Sequence, residues 1–419
     1  MSPASRSSVE SFPLVQQEIA RLAQDPEVRS AMEWLREQEG QFGRWQLDLA
    51  KIPAPPFGEG ARSDWLAERF HDLGLHEVQK DSIGNVFGIN PGVQDAVLSI
   101  SAHLDTVFPA NTPLNIRQQG HRLYGPGVSD NAAGVTALLA TAAVFAKFNL
   151  PHEAQLLFIG NVGEEGEGDL RGMRHIFSDS PWKEAIRASV VLDGAGCDTI
   201  VAEALGSRRF EIIVRGPGGH SWSDFGAPNP ILALARAIHL FSQTRVSVSP
   251  KTTFNIGVIR GGTSVNSIPE SASMRVDTRS TSAFEIERLE LELRRSIEQA
   301  IQEEEIRGLA ARGGTAQRSG LEAEIVPIGN RPGGQLDPNA RVLQIARAVD
   351  AHLGNTAQIQ RASTDANIPI SMGREAIAIG AGGTGGGAHT LQEWFDTTGR
   401  ELGLRRILLI VLALAGAGK

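Results

Sequence analysis

Cysteine is almost absent: Cys197 is the only one in 419 residues. That excludes an intrachain disulfide and a thiolate metal cluster, fits a reducing compartment, and leads to the expectation of a cytoplasmic protein. No dense block of lysine or arginine occurs, and 40 basic against 48 acidic residues leave a formal charge of -8. No nucleic-acid partner and no anionic-membrane surface are therefore expected. The amino terminus, MSPASRSSVESFPLVQQEIARLAQ, is polar with helical spacing and lacks the continuous apolar core of a signal peptide. The most apolar stretch, ILLIVLALAGAG near the carboxyl end, is shorter than the roughly 20 residues that span a bilayer, and reads as a buried terminal helix. Repeats of fixed period are also missing.

What is present is the composition of an ordinary soluble globular protein, 41% hydrophobic and 21% charged, in a chain long enough for two domains, one of which can interrupt the other. After a helical first 50 residues, SDWLAERFHDLG reads as a helix and NVFGI and AVLSISAHLD as strands. NAAGVTALLATAAVFAKF is then a helix, and EAQLLFIGNV and ASVVLDG are strands. Such alternation predicts a mostly parallel, helix-covered sheet. From about residue 207 the order becomes strand, helix, strand, strand, helix, strand (RRFEIIVRG, NPILALARAIHLFSQ, TTFNIGVIRG, SASMRVDTRS, AFEIERLELELRRSIEQAIQEEE, EAEIVPI), the ferredoxin-like split unit. After GNRPGGQLDPNA the first pattern resumes. The expected organisation is an α/β domain of residues 1–206 and 329–419, with an inserted α+β domain at 207–328.

Ligand sites in open α/β sheets gather at the carboxyl ends of the strands. There LSISAHLDT ends in His103 and Asp105, whose spacing places both on one strand face; LLFIGNVGEE ends in Glu164 and Glu165; SVVLDG ends in Asp193. Asp130 in GVSDNAAGV precedes a helix start, and His389 in GGTGGGAHTLQEW is followed by Thr390 and Glu393, which read as a capping box that opens the last helix. Taken singly, each has a plain structural reading: a hydrogen-bonded histidine, a helix cap, a turn former, a solvated acidic loop. Together, five chain-distant elements deliver His, Asp, Glu, Asp and His to one sheet edge. So many carboxylates repel one another unless divalent cations neutralise them, and imidazole with carboxylate suits zinc, with cobalt or manganese as alternatives. The glycine-rich GAGGTGGGAH is not a phosphate loop, because no Lys-Ser/Thr follows it.

SAHLDTV, GPGVSDNAAG, GEEGEGDLRG, VVLDG, GPGGHSW and GGGAHTLQE, in that order and from about residue 45 onward, make the chain resemble the two-zinc metallopeptidases that include acetylornithine deacetylase, succinyl-diaminopimelate desuccinylase, aminoacylase, carboxypeptidase G and peptidase T. The resemblance implies two Zn2+ per chain, one held by His103, Asp130 and Asp193, the other by Asp130, Glu165 and His389, with Asp130 shared. It implies that Asp105 steadies His103, and that Glu164 is the general base, taking a proton from the metal-bridging water and passing it to the leaving amine. A cis peptide between Asp130 and Asn131 is also implied. The insert resembles the family's lid, so His220 is expected to stabilise the substrate oxyanion, often in a neighbouring subunit's site, with Asn266 and Arg279 holding the substrate's backbone or carboxylate. A homodimer through the lid follows. Cys197 has no part in this chemistry.

Asp193 stands where the carboxypeptidase and deacylase branches carry Glu and the peptidase T and dipeptidase-like branches carry Asp. The expected substrate is therefore a short peptide cut near its amino end, as by an aminopeptidase, tripeptidase or dipeptidase. A deacylase of N-acyl amino acids or a carboxypeptidase would use the same metal site, and a binding protein on the same scaffold would be expected to have lost Glu164 or a zinc ligand, which this sequence retains.

Overall fold

In the computed structural model, residues 3–311 and 320–416 are described, with side chains from residue 12 onward. The last two residues of ILLIVLALAGAG and part of the inserted segment lie outside the described residues. The chain divides into two units, Met1–Ala204 with Gln335–Lys419, and Leu205–Gly334.

The strands Val97–His103, Gln155–Asn161 and Ile186–Leu192 are apolar at most positions and buried along nearly their whole length. That is what a strand inside a sheet covered on both faces requires. Gln155–Asn161 pairs in parallel with Val97–His103, which pairs in parallel with Ile186–Leu192, and Glu375–Ile379 continues the parallel run. Antiparallel strands Val86–Asn90 and His76–Lys80 extend one edge. The centre of the sheet is thus parallel, and its strands end on one side.

One face of this sheet carries the larger core. The helix Ala132–Lys147 is buried through almost every turn, and Arg400–Leu414 packs into the same cluster with Arg341–Leu353 and the amino-terminal helices. The opposite face packs Arg171–Ser178 and Asn367–Ser371 against Ile159, Val191 and Ala378. Apolar helices on both faces leave the strand ends as the place where polar side chains emerge.

The second unit has an antiparallel sheet in the order Thr252–Gly261, Ser271–Ser280, Gly206–Arg215, Glu322–Arg331. With helices Pro230–Ser242 and Ala283–Ala311 this is the ferredoxin-like order. Its own core contains Phe210, Ile212, Leu234, Phe241, Met274 and Leu293. The unit ends at Gly334 rather than at residue 328. Gly329, Asn330 and Arg331 remain in register with Arg209, Arg208 and Ser207.

Candidate metal centre

His103 closes its strand, and the next residue, Leu104, donates its N–H to the Asn161 carbonyl at 2.8 Å. Asp105 is fully buried; its Oδ1 accepts the N–H of Glu164 at 3.0 Å and its Oδ2 that of Glu165 at 2.7 Å. Its carboxylate also lies 3.6 Å from His103 Nδ1. Asp105 therefore holds the glutamate pair as well as the histidine. The glutamates leave their strand through Gly163, at φ 69°, a backbone conformation that glycine adopts without steric cost.

Asp130 is not the cap of its helix. Asn131 takes that position, its Oδ1 accepting from Gly134 N and from Gly194 N, both at 3.1 Å, while its Nδ2 donates to Leu192 O at 2.9 Å. One side chain thus caps the helix and ties it to the strand that leads to Asp193. The Asp130–Asn131 peptide is cis, as the resemblance implies.

The last helix begins at Arg400, not beside His389, and a strand, Trp394–Asp396, intervenes. Thr390 and Glu393 consequently form no capping box. The buried Glu393 carboxylate instead accepts the N–H groups of Gly127 (2.8 Å), Ser129 (2.7 Å) and Asp130 (2.8 Å). It buttresses the loop that presents Asp130, a role for which the local T-x-x-E spacing gives no signal. Burial pushes the Glu393 carboxyl up to about 7 against these three donors.

These supports bring two donor groups together. His103, Asp130 and Asp193 offer ligand atoms within 4.8 Å of one another, and so do Asp130, Glu165 and His389. Asp130 joins the two: its Oδ1 is 3.1 Å from His103 Nε2 and its Oδ2 is 3.0 Å from His389 Nε2. His389 Nε2 also lies 2.9 Å from Glu165 Oε1. Glu164 is buried and groups with His103 and Glu165 on the same scale. His103 Nδ1 sits 3.1 Å from the Asp105 backbone oxygen, which can only accept, so Nδ1 carries the proton and Nε2 is the atom offered to a cation.

Burial opposes a charge on His103, but Asp105, Asp130 and Asp193 outweigh it and raise its pKa well above the usual value. Contact with Asp130, then with Glu165, raises His389 to about 10. Burial likewise opposes ionised Asp130, yet the two imidazoles hold its carboxyl below the ordinary range. Five carboxylates (Asp105, Asp130, Glu164, Glu165, Asp193) stand against two imidazoles here, and Glu164, Glu165 and Asp105 are buried. Such an excess of buried negative charge needs compensation. The two nitrogen-and-oxygen triads fit a pair of borderline divalent cations in donor type and number, with exchangeable positions left over.

A cavity of about 570 Å³ adjoins the cluster, lined by Asp130, Asp193, Cys197, Asp198 and the Gly383–Gly386 strand region. Cys197 is half-buried on its wall and outside the donor groups. His220, Asn266 and Arg279 belong to the other unit. His220 is exposed, and its Nδ1 accepts from Trp222 N at 3.2 Å. Asn266 is exposed beside Ser264, and Arg279 pairs with Asp277 at 2.7 Å. No helix among the described residues is long and apolar enough to cross a membrane.

Residues 99–412 match the family described as peptidase family M20/M25/M40. The chain is 24% identical over 354 residues to the Bacillus subtilis (strain 168) protein YqjE, covering 80% of this chain and 88% of that one. It is 26% identical over 239 residues to carboxypeptidase G2 of Pseudomonas sp. (strain RS-16), 53% of this chain and 55% of that protein. The aminopeptidase PepT of Bacillus cereus ATCC 10987 has the same fold, with a TM-score of 0.70 at 20% identity, over 90% of this chain and 99% of PepT.

Proposed function

The chain belongs to the peptidase family M20/M25/M40, and from that premise we propose that it hydrolyses an amide bond near the amino end of short peptides with the help of two zinc ions. His103, Asp130 and Asp193 would hold one ion, and Asp130, Glu165 and His389 the other. Cobalt or manganese suits the same donors. The observation that carries this reading is Asp130, whose two oxygens reach toward different histidines, which supports a shared-ligand role.

A divalent pair supplies an acidified water and a polarised carbonyl. This chain's residues do the rest. Glu164 takes the proton of the attacking water and delivers it to the departing amine. Asp105 orients both the His103 ring and the Glu164–Glu165 backbone. Glu393 fixes the Asp130 loop through its amides. With this proton path no serine or cysteine nucleophile is required. His220 is assigned to the developing oxyanion, supplied by a partner copy in a homodimer formed through residues 205–334, and Asn266 and Arg279 to the substrate's backbone or carboxylate. A cytoplasmic location accords with the single cysteine.

The aminopeptidase likeness and Asp193 favour peptides; the carboxypeptidase G2 likeness favours a second reading, removal of an acyl group or a carboxyl-terminal residue. Zinc-loaded protein offered di- and tripeptides beside N-acetyl amino acids separates them. Release of the amino-terminal residue, followed by mass spectrometry, is expected. Exclusive cleavage of the acylated compounds would overturn the peptide reading. Glu164→Gln is expected to lower kcat at least about 100-fold while the metal content stays at two ions per chain.

A further inference from the structure

Asp365 and Asn161 are both completely buried, and Asn161 Nδ2 donates to Asp365 Oδ2 at 2.6 Å. The remaining side-chain oxygens, Asn161 Oδ1 and Asp365 Oδ1, are buried without any donor. Turning the Asn161 amide over does not mend this, because an ionised carboxylate has only acceptors and the amide oxygen would then face one of them. A single proton does mend it. With Asp365 Oδ1 protonated, that hydroxyl can donate to Asn161 Oδ1 while Asn161 Nδ2 donates to Asp365 Oδ2, and the two side chains close an acid–amide ring.

Asn161 sits where such a lock matters. It lies opposite His103 in the parallel ladder, its carbonyl accepts from Leu104 N, and Glu164 follows three residues later. Asp365 comes from a distant segment, just before the short helix Asn367–Ser371, and its neighbour Thr364 is tied back by donation of its N–H to Asn367 Oδ1 at 3.0 Å. We propose that Asp365 is a neutral carboxylic acid that locks Asn161, making it a positioning residue for the strand ends that carry His103 and the Glu164–Glu165 pair.

Burial is the dominant influence on Asp365; His103 and the Asn161 hydrogen bond favour the ionised form, Asp105 and Asp193 oppose it, and the carboxyl is raised to about 7. The sign of the linkage follows. An acid whose folded pKa lies above its unfolded value stabilises the fold at low pH, and that contribution is lost as pH rises from about 4 to about 7.

Asp365→Asn tests the proposal, since its amide N–H can donate to Asn161 Oδ1 as the acid proton does; Asp365→Ala removes the ring. Both are compared with the parent as full-length, metal-loaded protein. The Asn variant is expected to keep kcat/KM within a factor of about two, and its thermal midpoint is expected to gain on the parent as pH rises from about 5 to about 8. The Ala variant is expected to lose kcat at least about tenfold, with a smaller change in KM. Loss of activity in the Asn variant equal to that of Ala would overturn the proposal, as would a pH-independent gap between Asn variant and parent. A 13C carboxyl resonance of Asp365 titrating at the ordinary aspartate value would also overturn it, by showing an ionised group served by a buried water. The activity arm rests on the hydrolase reading above. If the parent cleaves nothing, that reading fails, while the unfolding and 13C arms still decide the state of Asp365.

Discussion

At the scale of single residues, the candidate centre competes for protons. His103 and His389 hold theirs because carboxylates surround them, and His389 does so to about pH 10. A cation needs the neutral imidazole, so loading metal at about pH 8 is expected to expel protons, and affinity is expected to fall as pH is lowered. Calorimetry in buffers of different ionisation enthalpy measures the number released, which His389→Gln should reduce. In the metal-free chain the same proton stabilises the fold below the unfolded value of 6.5, and that contribution is lost as pH climbs toward 10. Because His389 is 54% exposed, the effect on the thermal midpoint is expected to be small. These histidines were legible in the sequence because they end or follow recognisable segments. Glu393 and Asp365 were not, since each acts through partners more than 200 positions away, Ser129 in one case and Asn161 in the other. The left-handed backbone of His389, φ 65°, is equally silent in sequence; it costs roughly 1 kcal/mol or more for a residue with a Cβ.

At the scale of elements, the central strands were legible because burial on both faces leaves short apolar runs, as in the LLFI of QLLFIGN and the VVL of IRASVVL. The short strands Thr384–Gly386 and Trp394–Asp396 were not, because three residues carry no periodicity, and a T-x-x-E pattern suggested a helix in place of the second. What the sequence does not display is how closely the elements meet. The helix Ala132–Lys147 starts against the end of Ile186–Leu192, and a Cβ on Gly134 would lie 2.5 Å from the Leu192 carbonyl and 2.1 Å from Asn131 Oδ1. Backbone on one side and the capping amide on the other leave no cheap adjustment. Gly134→Ala is therefore expected to destabilise the chain by about 1–3 kcal/mol in denaturant unfolding. It should also weaken metal binding, because the displaced cap couples the Asp130 loop to the Asp193 strand end.

At the scale of the molecule, a split ferredoxin-like unit was legible from element order alone, since its two main helices and four long strands keep that order, with only the two-residue strands Gly219–His220 and Ser267–Ile268 between them. Its far boundary was misplaced because Gly329 to Arg331 look like a turn but stay paired to Gly206–Arg215 through backbone hydrogen bonds that no side chain announces. The unit carries exposed Trp222, Phe225 and Val265 near the loop of His220, apolar surface of the kind that contacts between copies cover. The assignment of His220 to a partner's site makes a prediction that a monomer cannot meet. Glu164→Gln and His220→Ala are each expected to be nearly inactive alone. Mixed in equal amounts and allowed to exchange subunits, half the dimers combine the two variants, and in each of these one site has Glu164 from one copy and His220 from the other. Recovery of roughly a quarter of the parent rate is expected. If His220 serves its own chain, every site in the mixture lacks one of the two groups, and the rate stays at the level of the single variants.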